Sequence, residues 1–214
     1  MNKYIVIFAV ATALLSSGCV VGRRTVDLTI PQATEYPSAR DSISIGQVRD
    51  QRQFENEPRD PSTPSVDGNV TRLDSDTKTS MIGRQRNGFG KAMGDIALPK
   101  DRSVILLTRE LLIESLRRNG YSVAGAESSD NSVDVDIDEF WAWFSPGMWS
   151  VSFEARVYCT LAVRRKADSK TVVIRGYGIN KGQVASDENW QLAYQRAFED
   201  FLAKSVSELK NTGL

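Results

Sequence analysis

Residues 132–163 read SVDVDIDEFWAWFSPGMWSVSFEARVYCTLAV, and the rest of the chain has to fit around them. Apolar residues occupy every second position from 149 to 163, and a similar alternation runs through 133–137. A β-strand places alternate residues on one face, so the pattern predicts two strands. Ser145-Pro146-Gly147 lies between them and supplies turn residues. The stretch therefore predicts a long β-hairpin at the centre of a sheet.

The apolar face predicts the pairing of these strands, because opposed residues of a hairpin share one face. The predicted pairs are Trp143 with Trp149, Trp141 with Val151, Ile137 with Ala155, Val135 with Val157 and Val133 with Cys159. Burying one large apolar side chain is worth about 1.5–3 kcal/mol, whereas an exposed ion pair contributes roughly 0.2–1 kcal/mol. The apolar face therefore sets the register. Glu139 falls on that face, opposite Phe153, and predicts a β-bulge.

The overall charge is balanced, with 27 lysines and arginines against 27 aspartates and glutamates in 214 residues. A neutral chain has no global field that attracts nucleic acid or acidic lipid. The chain has no histidine, which removes the commonest general base and the commonest metal ligand. We therefore expect one domain with no cofactor, no metal and no nucleic-acid partner. Of the two cysteines, Cys159 points into the predicted core as a buried thiol.

The N-terminus resembles the signal peptide of a bacterial lipoprotein. Lys3 precedes an apolar run over residues 4–15, which is too short to span a bilayer, and Ser16-Ser17-Gly18 then leads to Cys19. Lipoproteins usually carry leucine three residues before the acylated cysteine, where this chain has Ser16. The resemblance implies cleavage before Cys19 and lipidation of that residue, with palmitate among the attached acyl groups. The alternative is an ordinary secretory signal that is cut nearby and leaves a free cysteine.

Lipidation would also fix the location of the domain. One acyl chain binds a membrane weakly and two or more bind it stably, at about 0.8 kcal/mol per buried methylene. Gram-negative lipoproteins that stay at the inner membrane usually carry aspartate after the cysteine, whereas this chain has Val20. The resemblance therefore implies an outer-membrane anchor with the domain in the periplasm. We expect a signal peptide at 1–18, a tether at 19–23 and one domain from 24 to 214.

The first half of the domain predicts strands and a polar insert. Residues 24–30 and 41–48 alternate like strands, whereas residues 53–79 are polar and contain several prolines. Asn87-Gly88 is a strong hairpin signal within residues 80–96. The tip of this hairpin is basic, which predicts either a solvated turn or a contact with lipid headgroups or an acidic partner. The basic residues are Arg84, Arg86 and Lys91.

Two amphipathic helices complete the chain. One begins near residues 99–101 and ends at Arg118, and the other begins after the cap residue Ser186. A strand over 171–180 turns Gly176 and Gly178 inward, which leaves room for a bulky neighbour such as Trp190. A sheet with one apolar and one acidic face needs one covering layer. We predict an α+β two-layer sandwich, in which an antiparallel-rich sheet of at least four strands carries two helices packed on one face.

Several short stretches carry a family resemblance. They are Gly18-Cys19, Thr29-Ile30-Pro31-Gln32, Val48-Arg49-Asp50-Gln51-Arg52, Thr108-Arg109-Glu110-Leu111-Leu112 and Asn119-Gly120-Tyr121-Ser122-Val123. With them the chain resembles the YajG-like family of bacterial lipoproteins, most of whose members have no assigned function. The tryptophan-rich hairpin and the polar insert depart from the family pattern. The resemblance implies a lipid-anchored location and carries over no catalytic residues.

Three functions follow from these features. The first is a non-enzymatic lipoprotein that binds an envelope protein as an accessory to a transport or assembly system. Its candidate contacts are Phe140, Phe144 and Met148, because interfaces are enriched in aromatic residues and methionine, and both phenylalanines fall on the face away from the helices. The second is a carrier of lipid or another hydrophobic ligand. The third is a carboxylate-based metal site or enzyme built from Asp134, Asp136, Asp138, Glu139 and Glu154.

Overall fold

The computed structural model describes residues 22–87, 91–124, 131–147, 151–165, 168–182 and 186–211. The predicted signal peptide, Cys19 and Met148 lie outside the described residues. The strands are β1 (Arg24–Thr25), β2 (Asp41–Asp50), β3 (Met81–Arg86), β4 (Ala92–Ala97), β5 (Tyr121–Ala124), β6 (Asn131–Pro146), β7 (Val151–Arg165) and β8 (Asp168–Gly182). The helices are α1 (Ser75–Ser80), α2 (Val104–Arg118) and α3 (Asp187–Asn211).

All eight described strands belong to one mixed sheet with β6 at its centre. One edge of β6 pairs with β7, and β7 pairs with β8, both in the antiparallel sense. The other edge pairs in parallel with β2 and then with β3. β5 extends the sheet from β2, and β4 and β1 extend it from β3.

The α+β class and the sheet of at least four strands are confirmed. The prediction of an antiparallel-rich sheet is wrong, because four of the seven pairings between described strands are parallel. The predicted hairpins are both present. The parallel pairings join segments far apart in the chain, and a local pattern of alternation carries no information about them.

The β-bulge predicted at Glu139 is present between Ile137 and Glu139. Before the bulge Ile137 pairs with Cys159, so the predicted partner, Ala155, is wrong by four residues. The extra residue also reverses the alternation along β6. Phe140 consequently joins the core on the helix side, whereas Trp141, which was predicted to share the face of Ile137, belongs to a second core on the opposite side.

The helix side of the sheet holds the larger core. Both long helices pack on this side, since buried residues of α2 and α3 belong to one apolar cluster with β6, β7 and β8. The ring of Phe140 stacks on that of Tyr194, with centroids 5.2 Å apart. The apolar face predicted for the last helix is confirmed. Its buried members include Trp190, Tyr194, Ala197, Phe198, Phe201, Leu202 and Leu209.

α3 lies directly against β8 at two inward-facing glycines. A Cβ atom at Gly176 would lie 2.3 Å from the carbonyl oxygen of Ala197, and one at Gly178 would lie 2.1 Å from that of Ala193. The helix backbone therefore fills the space that the sequence assigns to Trp190. This close approach leaves no room at the glycines for the hydrophobic ligand of a carrier protein.

The polar insert covers the opposite side of the sheet around the tryptophans. Trp141 and Trp143 form the second core with residues that include Met81, and Phe54 of the insert packs against them. Trp141 Nε1 donates a hydrogen bond to the carbonyl oxygen of Pro61 at 3.3 Å. The bulge in β6 turns these tryptophans away from the helices, and the insert supplies the cover they need.

The segment after β1 is an extended strap across the helix layer. Only Arg24–Thr25 pair with β4, although residues 24–30 are predicted as a strand. Val26, Leu28 and Ile30 are buried to between 1% and 3% exposure, so the predicted alternation is confirmed even though most of the strap joins no strand. We use the word strap for residues 26–37.

Candidate functional site

The five carboxylates on β6 and β7 that are predicted as a metal or catalytic site each have a separate partner. Asp134 lies 2.6 Å from Arg164, Asp136 2.6 Å from Arg49 and Glu139 3.5 Å from Arg156, while Asp138 accepts from Thr160 Oγ1 at 2.7 Å and Glu154 from the hydroxyl of Tyr177 at 2.7 Å. The hydrogen bond and the charge of Arg49 lower the pKa of Asp136. The described residues contain no group of three or more cysteine, aspartate or glutamate side chains that could hold a metal.

The predicted contact residues have different environments. Phe140 is fully buried between the helices and the sheet, so the expectation that it faces away from the helices is wrong. The bulge explains the error, because it turns Phe140 inward. Phe144 is half-buried and its ring meets that of Phe153 edge-on, with centroids 5.6 Å apart. Met148 lies outside the described residues.

Exposed large apolar side chains lie on the outer face of β8 instead. Val173, Tyr177 and Ile179 are 37–39% exposed and alternate with inward residues such as Ile174. The sequence contains this signal, since these side chains occupy the odd positions of a strand whose even positions carry the core. The three residues form what we call the β8 strip.

The free edge of β8 is capped by charged side chains of α3. Lys204 Nζ donates to the carbonyl oxygen of Arg175 at 2.9 Å, and the backbone N–H of Tyr177 donates to Asp200 Oδ2 at 2.9 Å. Arg196 donates to the carbonyl oxygen of Ile179. The capping residues, Arg196, Asp200 and Lys204, are one helical turn apart. Successive turns therefore meet backbone groups two residues apart on the strand, and the edge is protected from strand addition.

Arg52 occupies the junction where β6 changes partner from β2 to β3. Its side chain is buried and donates to the carbonyl oxygens of Met81 at 2.6 Å, Phe140 at 2.9 Å and Lys78 at 2.7 Å. The carboxylate of Asp50 lies 2.8 Å away and balances its charge. Arg52 thus supplies the hydrogen-bond donors that a neighbouring strand would supply at this gap. In the sequence Arg52 ends the polar run Arg49-Asp50-Gln51-Arg52, which gives no sign of its burial.

Glu114 of α2 clamps the strap onto the helix layer. Its buried carboxylate accepts from the backbone N–H of Ala33 at 2.8 Å, the hydroxyl of Tyr36 at 2.8 Å and Arg118 Nε at 2.7 Å. Burial opposes ionisation of Glu114, but the hydrogen bonds from Arg118, Tyr36 and Ala33 outweigh it and lower the pKa. The strap is consequently held by a charged group that lies almost entirely inside the protein.

A cleft of about 540 Å³ opens between the insert and the β3–β4 hairpin. Four cationic and two anionic side chains line it, and we call it the basic cleft. The cations are Arg59, Arg84, Arg86 and Lys91, and the anions are Glu57 and Asp67. The sequence identifies three of the four cations as a basic hairpin tip, whereas Arg59 comes from the insert.

The two arginines on β3 are held firmly in the basic cleft. Arg84 and Arg86 are 6% and 8% exposed, so the prediction of a solvated turn is wrong for both. Arg86 donates to the carbonyl oxygen of Pro58 at 2.9 Å and to Ser65 Oγ at 3.2 Å. Arg84 donates to the carbonyl oxygen of Val66. Burial and the charge of Arg84 lower the pKa of Arg86. The insert thus folds back over two neighbouring guanidinium groups.

The chain enters the domain beside this cleft. The backbone N–H of Gly22 donates to the carbonyl oxygen of Met93 at 3.0 Å. Gly22 and Arg23 line a smaller cavity of about 280 Å³ whose wall includes Arg84 of the basic cleft. In the sequence Gly22 is three positions after Cys19, and three residues of extended chain span at most about 11 Å. None of the described helices combines the length and the apolar composition that a membrane-spanning helix needs.

No family model matches the chain, and no curated protein matches it. The fold is similar to the crystal structure of protein XCC0632 from Xanthomonas campestris, of family DUF330, at 10% identity and a TM-score of 0.44 over 89% of this chain and 97% of that one. A structure of the hypothetical protein CT253 from Chlamydia trachomatis is similar at 11% identity and a TM-score of 0.32, over 81% and 98% of the two chains. At these scores no residue role is transferred from either protein.

Proposed function

We propose that this chain is a lipid-anchored protein of the bacterial outer membrane. Its periplasmic domain acts as a non-enzymatic binding partner in an envelope transport or assembly system. The observation that carries the proposal is the N-terminal pattern, in which Lys3, the apolar run 4–15 and Gly18 lead to Cys19. The similarity of this pattern to lipoprotein signals and the resemblance to the YajG-like family support it. Gly22, which is hydrogen-bonded to Met93, is only three positions after Cys19 in the sequence, so little chain separates the proposed anchor from the fold.

The surface of the domain supports a binding role. The carboxylates that could serve in catalysis are engaged with arginine, threonine or tyrosine side chains. The β8 strip presents aliphatic and aromatic surface next to them, and aromatic residues are enriched in the cores of interfaces. We therefore assign partner contact to the β8 strip. Phe144, which the sequence predicts as a contact, is half-buried on the helix side of the sheet and is a second, separate candidate.

The anchor is tested by Cys19→Ser in cells labelled with palmitate. We expect loss of the label, accumulation of uncleaved precursor and loss of the protein from the outer-membrane fraction. Cys159→Ala is the matched control, because it removes a thiol inside the core and should leave all three readouts unchanged. Normal cleavage and normal fractionation of the Cys19→Ser protein would refute the anchor.

Partner binding is tested by placing a photo-crosslinking amino acid at Tyr177 in living cells. We expect a defined adduct with an envelope protein, because Tyr177 lies in the β8 strip. The same amino acid at Glu199, exposed on α3, is the control and should give none. If neither position 177 nor position 144 gives a specific adduct, the partner role is wrong.

A further inference from the structure

We propose that the basic cleft binds a phosphate-bearing anion, and that in the anchored protein this anion is the headgroup of a phospholipid in the same membrane. The cleft itself is defined by described residues. The assignment of its ligand to a lipid rests on the proposed function, since it needs the anchor at Cys19. No sequence motif for phosphate binding is involved, and the proposal stands on charge and placement alone.

The charges in the cleft suit a phosphate group. Guanidinium groups offer planar pairs of donors that match phosphate oxygens, and Arg84 and Arg86 present two of them side by side. Arg84 lies within ion-pair distance of two carboxylates, at 3.4 Å from Asp67 and 3.5 Å from Asp95. Burial raises the pKa of Asp95. The lining of the cleft nevertheless holds two more cationic than anionic side chains, so a bound anion would reduce the repulsion that Arg84 exerts on Arg86.

The two arginine side chains of the cleft are also preorganised for binding. The carbonyl oxygens of Pro58 and Val66 accept hydrogen bonds from Arg86 and Arg84 and so fix the two guanidinium groups. Ordering these side chains therefore costs little when a ligand binds. Arg59 and Lys91 are exposed at the mouth of the cleft, where they attract an anion and have no structural role in the core.

The position of the cleft points to a lipid as the source of the phosphate. Lys91 lies two residues before Met93, which holds Gly22, and Arg84 lines both the cleft and the cavity beside Gly22. Only three residues of chain, which span at most about 11 Å when extended, separate Gly22 from the proposed anchor at Cys19. An acylated Cys19 sits at the headgroup level of the bilayer, so the mouth of the cleft is held close to headgroup phosphates. A second attachment there would fix the orientation of the domain on the membrane.

The test uses the chain from Val20 onward without acyl groups, which retains both apolar cores. We expect it to sediment with vesicles of phosphatidylethanolamine and phosphatidylglycerol at low salt, and not with phosphatidylcholine vesicles. Arg59→Glu with Lys91→Glu should weaken binding roughly tenfold or more, because each basic residue near an anionic surface contributes about fivefold. These two side chains are exposed, so the variant should keep the native circular dichroism spectrum.

The matched control is Lys100→Glu with Lys210→Glu, which makes the same change in charge at exposed positions outside the cleft. Equal binding by the two double variants would overturn the cleft as the site. Competition by inorganic phosphate is expected, because the recognised chemistry is shared. Binding of inorganic phosphate without binding of vesicles would overturn the lipid assignment, and binding of neither would overturn the proposal in favour of an acidic protein partner. The anchor is judged separately by Cys19→Ser, so the two failures are distinguishable.

Discussion

Arg52 shows how one side chain can complete a sheet that lacks a strand. Its guanidinium group donates to three carbonyl oxygens between β2 and β3 and is paired with Asp50. Burial of a charge is costly unless the charge is paired and its hydrogen bonds are made, and here both conditions are met. The stretch Val48–Arg52, on which the family resemblance partly rests, therefore has a structural role at the junction where β6 changes partner from β2 to β3.

We expect Arg52→Ala to destabilise the domain strongly. The substitution leaves the buried Asp50 without its counter-ion and several carbonyl oxygens without donors, a loss of about 3–5 kcal/mol. Arg49→Ala is the control, because its ion pair with Asp136 is exposed and contributes roughly 0–1 kcal/mol. Urea unfolding followed by tryptophan fluorescence measures both. Equal losses in the two variants would contradict the role of Arg52.

Glu114 predicts a specific dependence of stability on pH. Its pKa is lowered in the folded state, so its contribution is fully present above the ordinary carboxyl pKa of 4.5 and is lost as the pH falls through the folded value. In Glu114→Gln the free energy of unfolding should be smaller at neutral pH and should fall less below about pH 4.5. Urea unfolding at a series of pH values measures the difference. Parallel curves for the two proteins would rule out the clamp.

At the scale of elements, the cap on β8 protects a long edge strand. Arg196, Asp200 and Lys204 satisfy backbone groups that would otherwise be open to another strand. We expect alanine at all three positions to produce dimers or aggregates at concentrations where the native protein is monodisperse, as measured by light scattering. Alanine at Gln195 and Glu199, exposed on the same helix, is the control. An unchanged scattering profile in the triple variant would refute the cap.

The β6–β7 hairpin shows what local patterns can and cannot predict. Alternation identifies both strands, and the misplaced Glu139 locates the bulge. A bulge moves the side chains that follow it to the opposite face of the strand. The bulge predicted at Glu139 therefore also implies, from the sequence alone, that Phe140 faces inward. The shift of four residues in the pairing with β7 is different, because alternation fixes only the face of each residue and not its partner.

At the scale of the whole molecule, the helices and apolar faces are predictable, whereas the mixed topology is not. Amphipathic spacing places α2 and α3 on the sheet, but nothing in residues 41–50 or 81–86 indicates that both pair with β6 in parallel. The same limit applies to the basic cleft. Its hairpin cations are visible in the sequence, but their burial depends on an insert that folds back from a distance.

The strap has a mechanical consequence for a chain held at its amino end. With the proposed anchor at Cys19, tension from the bilayer would first load the few hydrogen bonds of β1. Val26, Leu28 and Ile30 would then have to be pulled out of the interior. The domain would then move together with the membrane. A force strong enough to free the strap would also break the hydrogen bonds that join the strap to Glu114 of α2.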